Sequence, residues 1–65
     1  MRWRQDGPDY DTGGHRSGGI VEWRIAGWRV SAWHNSEAME SLTYYRNLES
    51  AKRAVEKWLA RRRTP

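Results

Sequence analysis

The sequence contains no cysteine and no phenylalanine, and only two of its 65 residues are proline. Without cysteine, the chain has neither a disulfide framework nor a cysteine-based zinc site, and a cytoplasmic setting is consistent with this. No apolar run approaches the roughly 20 residues that a membrane-spanning helix needs, and no signal-peptide core follows Met1. We therefore expect a small cytoplasmic protein without a membrane partner.

Residues for catalysis are also scarce. The two histidines are His15, in a glycine-rich segment, and His34, at an expected turn. The stretch "HNSE" brings a histidine, a serine and a glutamate together, but a catalytic triad needs groups from separate elements. No pair of side chains has metal-ligand spacing, and no glycine-rich stretch lies between a strand and a helix to hold phosphate. We expect no enzymatic activity, no metal site and no cofactor.

Five tryptophans are the most unusual feature that the chain does have. A domain of this size buries only about 60% of the surface of its unfolded chain, so its core is built from few side chains. Each large aromatic buries roughly 150–250 Å². The first expectation for a tryptophan is therefore a place in the core, and any functional role must be argued against that.

The net charge of +4 is unevenly distributed along the chain. Residues 1–19 and residues 20–47 each contain equal numbers of basic and acidic residues. Residues 48–65 contain six basic and two acidic residues, which accounts for the whole excess. A basic end of this kind can attract polyanions, and it is also what the C-terminus of a helix favours.

The pattern of apolar residues predicts a two-part organisation. Residues 1–19 hold five of the six glycines and show no apolar periodicity, so we predict a flexible glycine-rich arm. Apolar and polar residues then alternate over 20–25 and 28–33, as in half-buried strands, and "LTYYR" (42–46) is predicted as a third strand after a polar connection. The predicted fold class of residues 20–65 is α+β, a three-stranded antiparallel sheet covered on one face by a single C-terminal helix (βββα).

The helix is the clearest element in the sequence. Asn47 offers an N-cap and Glu49 lies in the first turn of "LESAKRAVEKWLARRR" (48–63). Apolar residues recur on one stripe at a spacing of 3.6 residues: Leu48, Ala51, Ala54, Val55, Trp58 and Leu59. This stripe is expected to cover the sheet.

A two-residue turn at 26–27 is predicted to join the first two strands, with Arg24 opposite Arg29. A slip of one residue would move Arg24 into the core, so the apolar pattern favours this register. The core then receives three rings, Trp23, Trp28 and Trp58.

The opposite face of the predicted sheet combines arginines with aromatic rings. Its predicted binding residues are Arg24, Arg29, Ser31, Trp33, Tyr44 and Arg46, and Glu22 and Leu42 lie on the same face. Arginine pairs with phosphate or guanine and aromatic rings stack on bases, so this combination is typical of nucleic-acid surfaces. The alternative is that Trp33 and Tyr44 form a cross-strand pair that only shields the sheet, because small proteins expose apolar surface anyway.

Three predicted strands, an exposed Arg/Trp face and the helix entry "YRNLESA" are similar to two groups of DNA-binding domain. They resemble the plant ethylene-response (Apetala-type) domain and the arm-binding domain at the amino terminus of phage-type integrases. In those families the sheet enters the major groove and its free face makes the contacts. The resemblance covers about residues 20–60. It implies contacts from Arg24, Arg29, Ser31 and Trp33, extended by Arg46.

Two functions are consistent with this surface. The first is a small basic nucleic-acid-binding protein, with DNA as first choice, encoded by a phage or mobile element. It would use the Arg/Trp face, with secondary basic contacts from Arg61, Arg62 and Arg63. The second is a protein-binding module that captures a host protein or a second copy of itself through the same face or a sheet edge. The balanced charge of the sheet favours the second.

Overall fold

The computed structural model describes residues 2–40 and 44–63, with Glu40 described by its backbone alone. Its elements are β1 (Arg4–Asp6), β2 (Asp9–Asp11), β3 (Ser17–Arg24), β4 (Gly27–His34), β5 (Glu37–Glu40) and α1 (Leu48–Arg63). The strands form one antiparallel sheet in the order β1-β2-β3-β4-β5, so each strand pairs with the next along the chain. The helix packs on one face, against β3 and β4. The α+β class is as expected, but the sheet is larger.

The prediction of a three-stranded sheet is wrong, since the sheet has five strands. β1, β2 and the start of β3 all lie within residues 1–19, the predicted flexible arm. Gly7 and Pro8 connect β1 to β2, and Gly7 has a φ of 62°, which glycine adopts at little cost. The glycine that suggested a linker therefore makes a hairpin. Tyr10 opposite Val21 joins this hairpin to the rest of the sheet.

The last strand also lies elsewhere than predicted. β5 falls inside the segment read as a polar connection, and a two-residue turn at 35–36 precedes it. Asn35 there has a φ of 55°, a conformation that asparagine tolerates better than most residues. Of the predicted strand 42–46, residues 42 and 43 lie outside the described part of the chain. Tyr45 forms only an isolated bridge with Trp28.

The turn between β3 and β4 comes one residue earlier than predicted. Arg24 pairs with Gly27, so the two residues between them form the turn, and Glu22 rather than Arg24 lies opposite Arg29. Gly27 has a φ of 134°, and a Cβ on it would lie 2.7 Å from the carbonyl oxygen of Tyr45. Glycine at this position allows the segment before α1 to approach closely. The expected pairing of Arg24 with Arg29, two like charges, is replaced by Glu22 opposite Arg29, two opposite charges.

The core is smaller and more aliphatic than predicted. Its buried side chains come from β3, β4 and α1: Val21, Val30, Ala32, Ala51, Val55 and Leu59. Trp28 and Trp58 are partly buried around this cluster. Trp23 lies opposite Trp28 near the end of the hairpin and is 50% exposed, so its predicted place in the core is wrong. Trp23 lies on the expected face of the sheet, the side of α1, but it is close to the end of the strand, where the helix does not cover it.

The helix matches its prediction closely. It spans Leu48–Arg63, and the Oδ1 of Asn47 accepts hydrogen bonds from the backbone N–H groups of Glu49 (2.8 Å) and Ser50 (3.3 Å). These bonds satisfy two of the four N–H groups that a helix start leaves unpaired, which confirms Asn47 as the N-cap. Over the described residues, the structure has no helix of the length and apolarity needed to cross a bilayer.

Trp3, just ahead of β1, docks on one flank of α1. Its indole Nε1 donates a hydrogen bond to the Oε2 of Glu56 at 2.9 Å. The Nζ of Lys52 lies 5.9 Å from the centroid of the Trp3 ring and 4.4 Å from that of Tyr10, within the range of cation–π attraction. The start of the chain is therefore tied to its last element.

The backbone of β3 touches α1 at Gly19. A Cβ on Gly19 would overlap the Cγ1 of Val55, a fully buried residue of the helix. A side chain at this position would therefore push the helix away from the sheet. The absence of a side chain sets how closely the two layers approach.

We expect Gly19→Ala to lower the free energy of unfolding by about 1–3 kcal/mol, because the added methyl overpacks the layer between β3 and α1. Urea denaturation measures the change. In the double variant with Val55→Ala the clash is relieved, so its cost should fall short of the summed single costs by more than about 0.5 kcal/mol. Strictly additive costs would show that the two residues do not meet.

Candidate functional site

The face of the sheet opposite α1, called the free face below, carries most of the predicted site residues. Val30 and Ala32 of β4 are buried beneath the helix, so the alternate residues of that strand point away from it. These are Arg29, Ser31 and Trp33. Glu22 is opposite Arg29, and Arg24 follows on the same side of β3. The structure thus brings these predicted residues together.

The remaining predicted residues are spread over the molecule. Tyr45 pairs with Trp28 on the helix side, so Tyr44 falls on the free face and is 44% exposed. Arg46 is exposed in the bend before α1. Arg61, Arg62 and Arg63 lie in the last turn of α1, so the sheet separates them from the free face.

Trp33 has a packing role on the free face. Gly18 lies opposite it in β3, and a Cβ on Gly18 would overlap the carbonyl oxygen of Gly13 and come within 2.7 Å of the Cζ2 of Trp33 and 2.9 Å of the Oγ1 of Thr12. The indole therefore covers the bare backbone of Gly18 and is itself only partly exposed. These contacts agree with the alternative interpretation of Trp33, in which the ring shields the sheet.

Charges on the free face are mixed. The Nη2 of Arg24 lies 3.0 Å from the Oε2 of Glu22, and the Nη2 of Arg4 lies 3.9 Å from the Oδ1 of Asp11. Strand pairing places four described carboxylates and three guanidinium groups on this face: Asp6, Asp9, Asp11 and Glu22, with Arg4, Arg24 and Arg29. Phosphates approaching this face would meet carboxylates as often as arginines.

Three basic residues form a row on the outer side of α1. Arg53, Lys57 and Arg61, called the outer row below, are exposed and follow each other at intervals of four residues. Such a spacing puts successive Cα atoms about 6 Å apart along one side of a helix. None of the three makes a hydrogen bond or ion pair with the residues that the structure describes.

The other basic residues of α1 have partners. The Nε of Arg62 lies 3.1 Å from the Oε2 of Glu37, and its Cζ lies 4.0 Å from the centroid of the Trp58 ring. The Nη2 of Arg63 donates to the Oγ of Ser17 at 3.1 Å. Of the predicted secondary contacts, Arg61 alone belongs to the outer row. Arg53 and Lys57 were not predicted as contacts, although their spacing of four residues is visible in the sequence.

Apolar side chains are exposed at one end of the sheet. Trp23 is 50% exposed, Ile25 at the β3–β4 turn is 97% exposed, and Tyr44 lies beside Gly27 where that turn closes. Trp23 lies on the helix side of the sheet and Tyr44 on the free face, so only Trp23 and Ile25 are called the hairpin-end patch below. It was not predicted, because Trp23 was expected in the core and Ile25 in the strand rather than in the turn.

Neither a group of metal ligands nor a similar known protein helps to identify the function. Within residues 2–40 and 44–63, no group of three or more histidine, aspartate or glutamate side chains is placed to hold a metal ion. No protein-family model, curated protein or solved structure matches this chain. The resemblance to the ethylene-response and integrase arm-binding domains stays a hypothesis based on sequence pattern.

We expect Trp33→Ala to lower the free energy of unfolding by about 2 kcal/mol, roughly half of the cost of removing a fully buried ring. Trp23→Ala serves as the comparison and should cost about 1 kcal/mol or less, because half of that side chain is already exposed. Urea denaturation of both variants measures the difference. A larger loss for Trp23→Ala would show that the supporting roles of the two rings are reversed.

Proposed function

We propose that this protein binds nucleic acid through phosphate contacts made by the outer row of α1. The observation that carries the proposal is the row itself. Arg53, Lys57 and Arg61 are exposed and aligned, and they have no anionic partner among the described residues. They lie in the segment that holds the whole net charge of +4. DNA is the first choice, and a cytoplasmic setting is part of the same proposal.

The dimensions of the row suit a phosphate backbone. Eight residues separate Arg53 from Arg61, which corresponds to about 12 Å along a helix. Each strand of duplex DNA carries one phosphate per about 3.4 Å of its axis, so the row extends over roughly three to four phosphates. Arginine adds forked, two-pronged contacts to phosphate oxygens.

The outer row is a better candidate than the free face, where the nucleic-acid interface was predicted. On the free face Arg24 is held by Glu22, and Glu22 also lies opposite Arg29. Binding phosphate there requires breaking or crowding these pairs of opposite charge. On the outer side of α1 no such pair has to be displaced among the described residues, so the attraction to phosphate is not offset in this way.

Two matched triple variants test the surface. We expect Arg53→Gln, Lys57→Gln and Arg61→Gln together to weaken binding to a random-sequence DNA duplex by more than tenfold. The slope of log K against log salt should become shallower by up to about 2.7, at about 0.9 per lost phosphate contact. Arg4→Gln, Arg24→Gln and Arg29→Gln remove the same charge from the free face and should have a much smaller effect.

The binding measurement is tryptophan fluorescence or the anisotropy of a labelled duplex, at about 50 and 200 mM salt. Thermal unfolding checks that both variants are folded. If the free-face variant loses binding and the outer-row variant keeps it, the interface is the sheet. If the unmodified protein does not bind even at low salt, nucleic-acid binding is rejected as its function.

The hairpin-end patch supports a second candidate function, docking to a protein. Tryptophan is enriched at the hot spots of protein interfaces, and Trp23 is half exposed next to the almost fully exposed Ile25. The mixed charge of the adjoining free face also suits a protein surface. The partner would be a host protein or a second copy of the chain.

We expect Trp23→Ser combined with Ile25→Ser to abolish capture of a protein partner while leaving duplex binding unchanged, because the patch lies apart from the outer row. Immobilised unmodified protein and the variant are compared for the proteins they retain, and sedimentation tests self-association. Gln5→Ser is a control at an exposed position of β1. Identical retained proteins and identical mass for all three chains would exclude the patch as a docking surface.

A further inference from the structure

An open groove of about 270 Å³ runs between α1 and the β5 side of the sheet, next to the outer row. It is lined by Met39, Tyr45, Ala54, Lys57, Trp58 and Arg61. Its walls are therefore aromatic and aliphatic, and its cations are two members of the outer row. A groove with this lining is suited to a flat apolar ring that carries a negative charge nearby.

The opposite flank of α1 shows what kind of group the helix accepts beside it. There the indole of Trp3 packs against the core cluster, its Nε1 is bonded to Glu56, and Lys52 lies by its ring. A flat ring with a polar edge and a nearby cation thus closes that side. On the β5 side, no ring from residues 2–40 or 44–63 fills the groove.

The aromatic walls are held in place by contacts of their own. Arg62 stacks on Trp58 at 4.0 Å and is itself bonded to Glu37 of β5. The backbone of Tyr45 exchanges hydrogen bonds with that of Trp28, at 2.7 and 2.9 Å. The Trp58 side chain is thereby positioned in advance, as is the backbone of Tyr45, so a ligand that packs against Trp58 costs little conformational entropy in that side chain.

We propose that this groove takes an unpaired nucleobase, with Lys57 and Arg61 on the adjoining phosphates, so that the protein prefers single-stranded nucleic acid to duplex. The proposal rests on the proposed function and specifies its ligand. Every base has an aromatic face, so stacking in such a groove tolerates any sequence. A base inside a duplex is paired and stacked, and it reaches the groove only if it is first extruded.

Three probes separate the contribution of the bases from that of the phosphates. They are an oligothymidylate of about 12 nucleotides, an abasic strand of the same length and charge, and a duplex of that length. We expect the oligothymidylate to bind at least tenfold more tightly than the abasic strand, by anisotropy at constant salt. Equal affinity for these two strands overturns the groove proposal.

Filling the groove provides the structural test. Ala54→Leu adds a side chain to its lining without removing charge or a helix-forming residue. It should reduce the affinity for oligothymidylate about tenfold, to that of the abasic strand, and change duplex affinity less than twofold. Ala38→Leu adds the same side chain at an exposed position of β5 opposite Trp33, on the free face and outside the groove lining, and should leave all three affinities within twofold.

The outcomes keep the two proposals distinguishable. Salt-dependent binding of all three probes with no effect of Ala54→Leu overturns the groove proposal and leaves the outer row as the interface. No binding of any probe rejects nucleic-acid binding itself and favours a protein partner. Because Ala54→Leu could disturb packing, its thermal unfolding is measured first, and Ala54→Met is a second variant that fills the groove with a more flexible chain.

Discussion

The packing on both faces of the sheet depends on two adjacent glycines in β3, which leave both sides of the strand without a side chain at one point. Gly19 faces the helix, where Val55 occupies the space of a side chain, and Gly18 faces the other way, where Trp33 does the same. Neighbouring residues of a strand point to opposite faces, so two consecutive glycines are what allow close contact on both. The contact of Gly18 with Trp33 covers part of the free face, and the contact of Gly19 with Val55 belongs to the core.

The orientation of the helix follows from this contact and decides where the charge lies. Ala51, Val55 and Leu59 are fully buried at intervals of four residues, so the helix has one inward side. Basic residues on the flanks are used within the fold, by Tyr10, Ser17, Glu37 and Trp58. Among the basic residues of α1, those of the outer row have no such partner among the described residues, so the excess positive charge of this segment is exposed on the helix side of the molecule rather than on the sheet.

The free face and the helix layer, meaning the side of the molecule formed by α1, differ in whether their basic residues have acidic partners. On the free face, carboxylates and guanidinium groups pair across and along strands; such exposed pairs add little stability, but they reduce the positive potential of this face. On the helix layer, the aromatic groove adjoins the unpaired cations. A strand of nucleic acid offers both phosphates and rings, and for this reason we propose the helix side of the molecule, rather than the free face, as its binding surface.

Three features follow from the amino-acid pattern alone: the helix Leu48–Arg63 with its N-cap, the alternation of β3 and β4, and the side of the sheet on which Arg29 and Trp33 lie. Each depends on a period within one element. The short strands β1, β2 and β5 could not be predicted, since three or four mostly polar residues carry no apolar period and pair only when a neighbouring strand is present. The role of Gly27 could not be predicted either, because the glycine allows the close approach of Tyr45, a residue distant in the chain. The turn therefore lies one residue earlier than predicted, and Trp23 and Ile25 are exposed. Which basic residues of α1 have partners and which form the outer row depends on the folded molecule, because a hydrogen bond or an ion pair requires two elements to come within a few ångströms of each other.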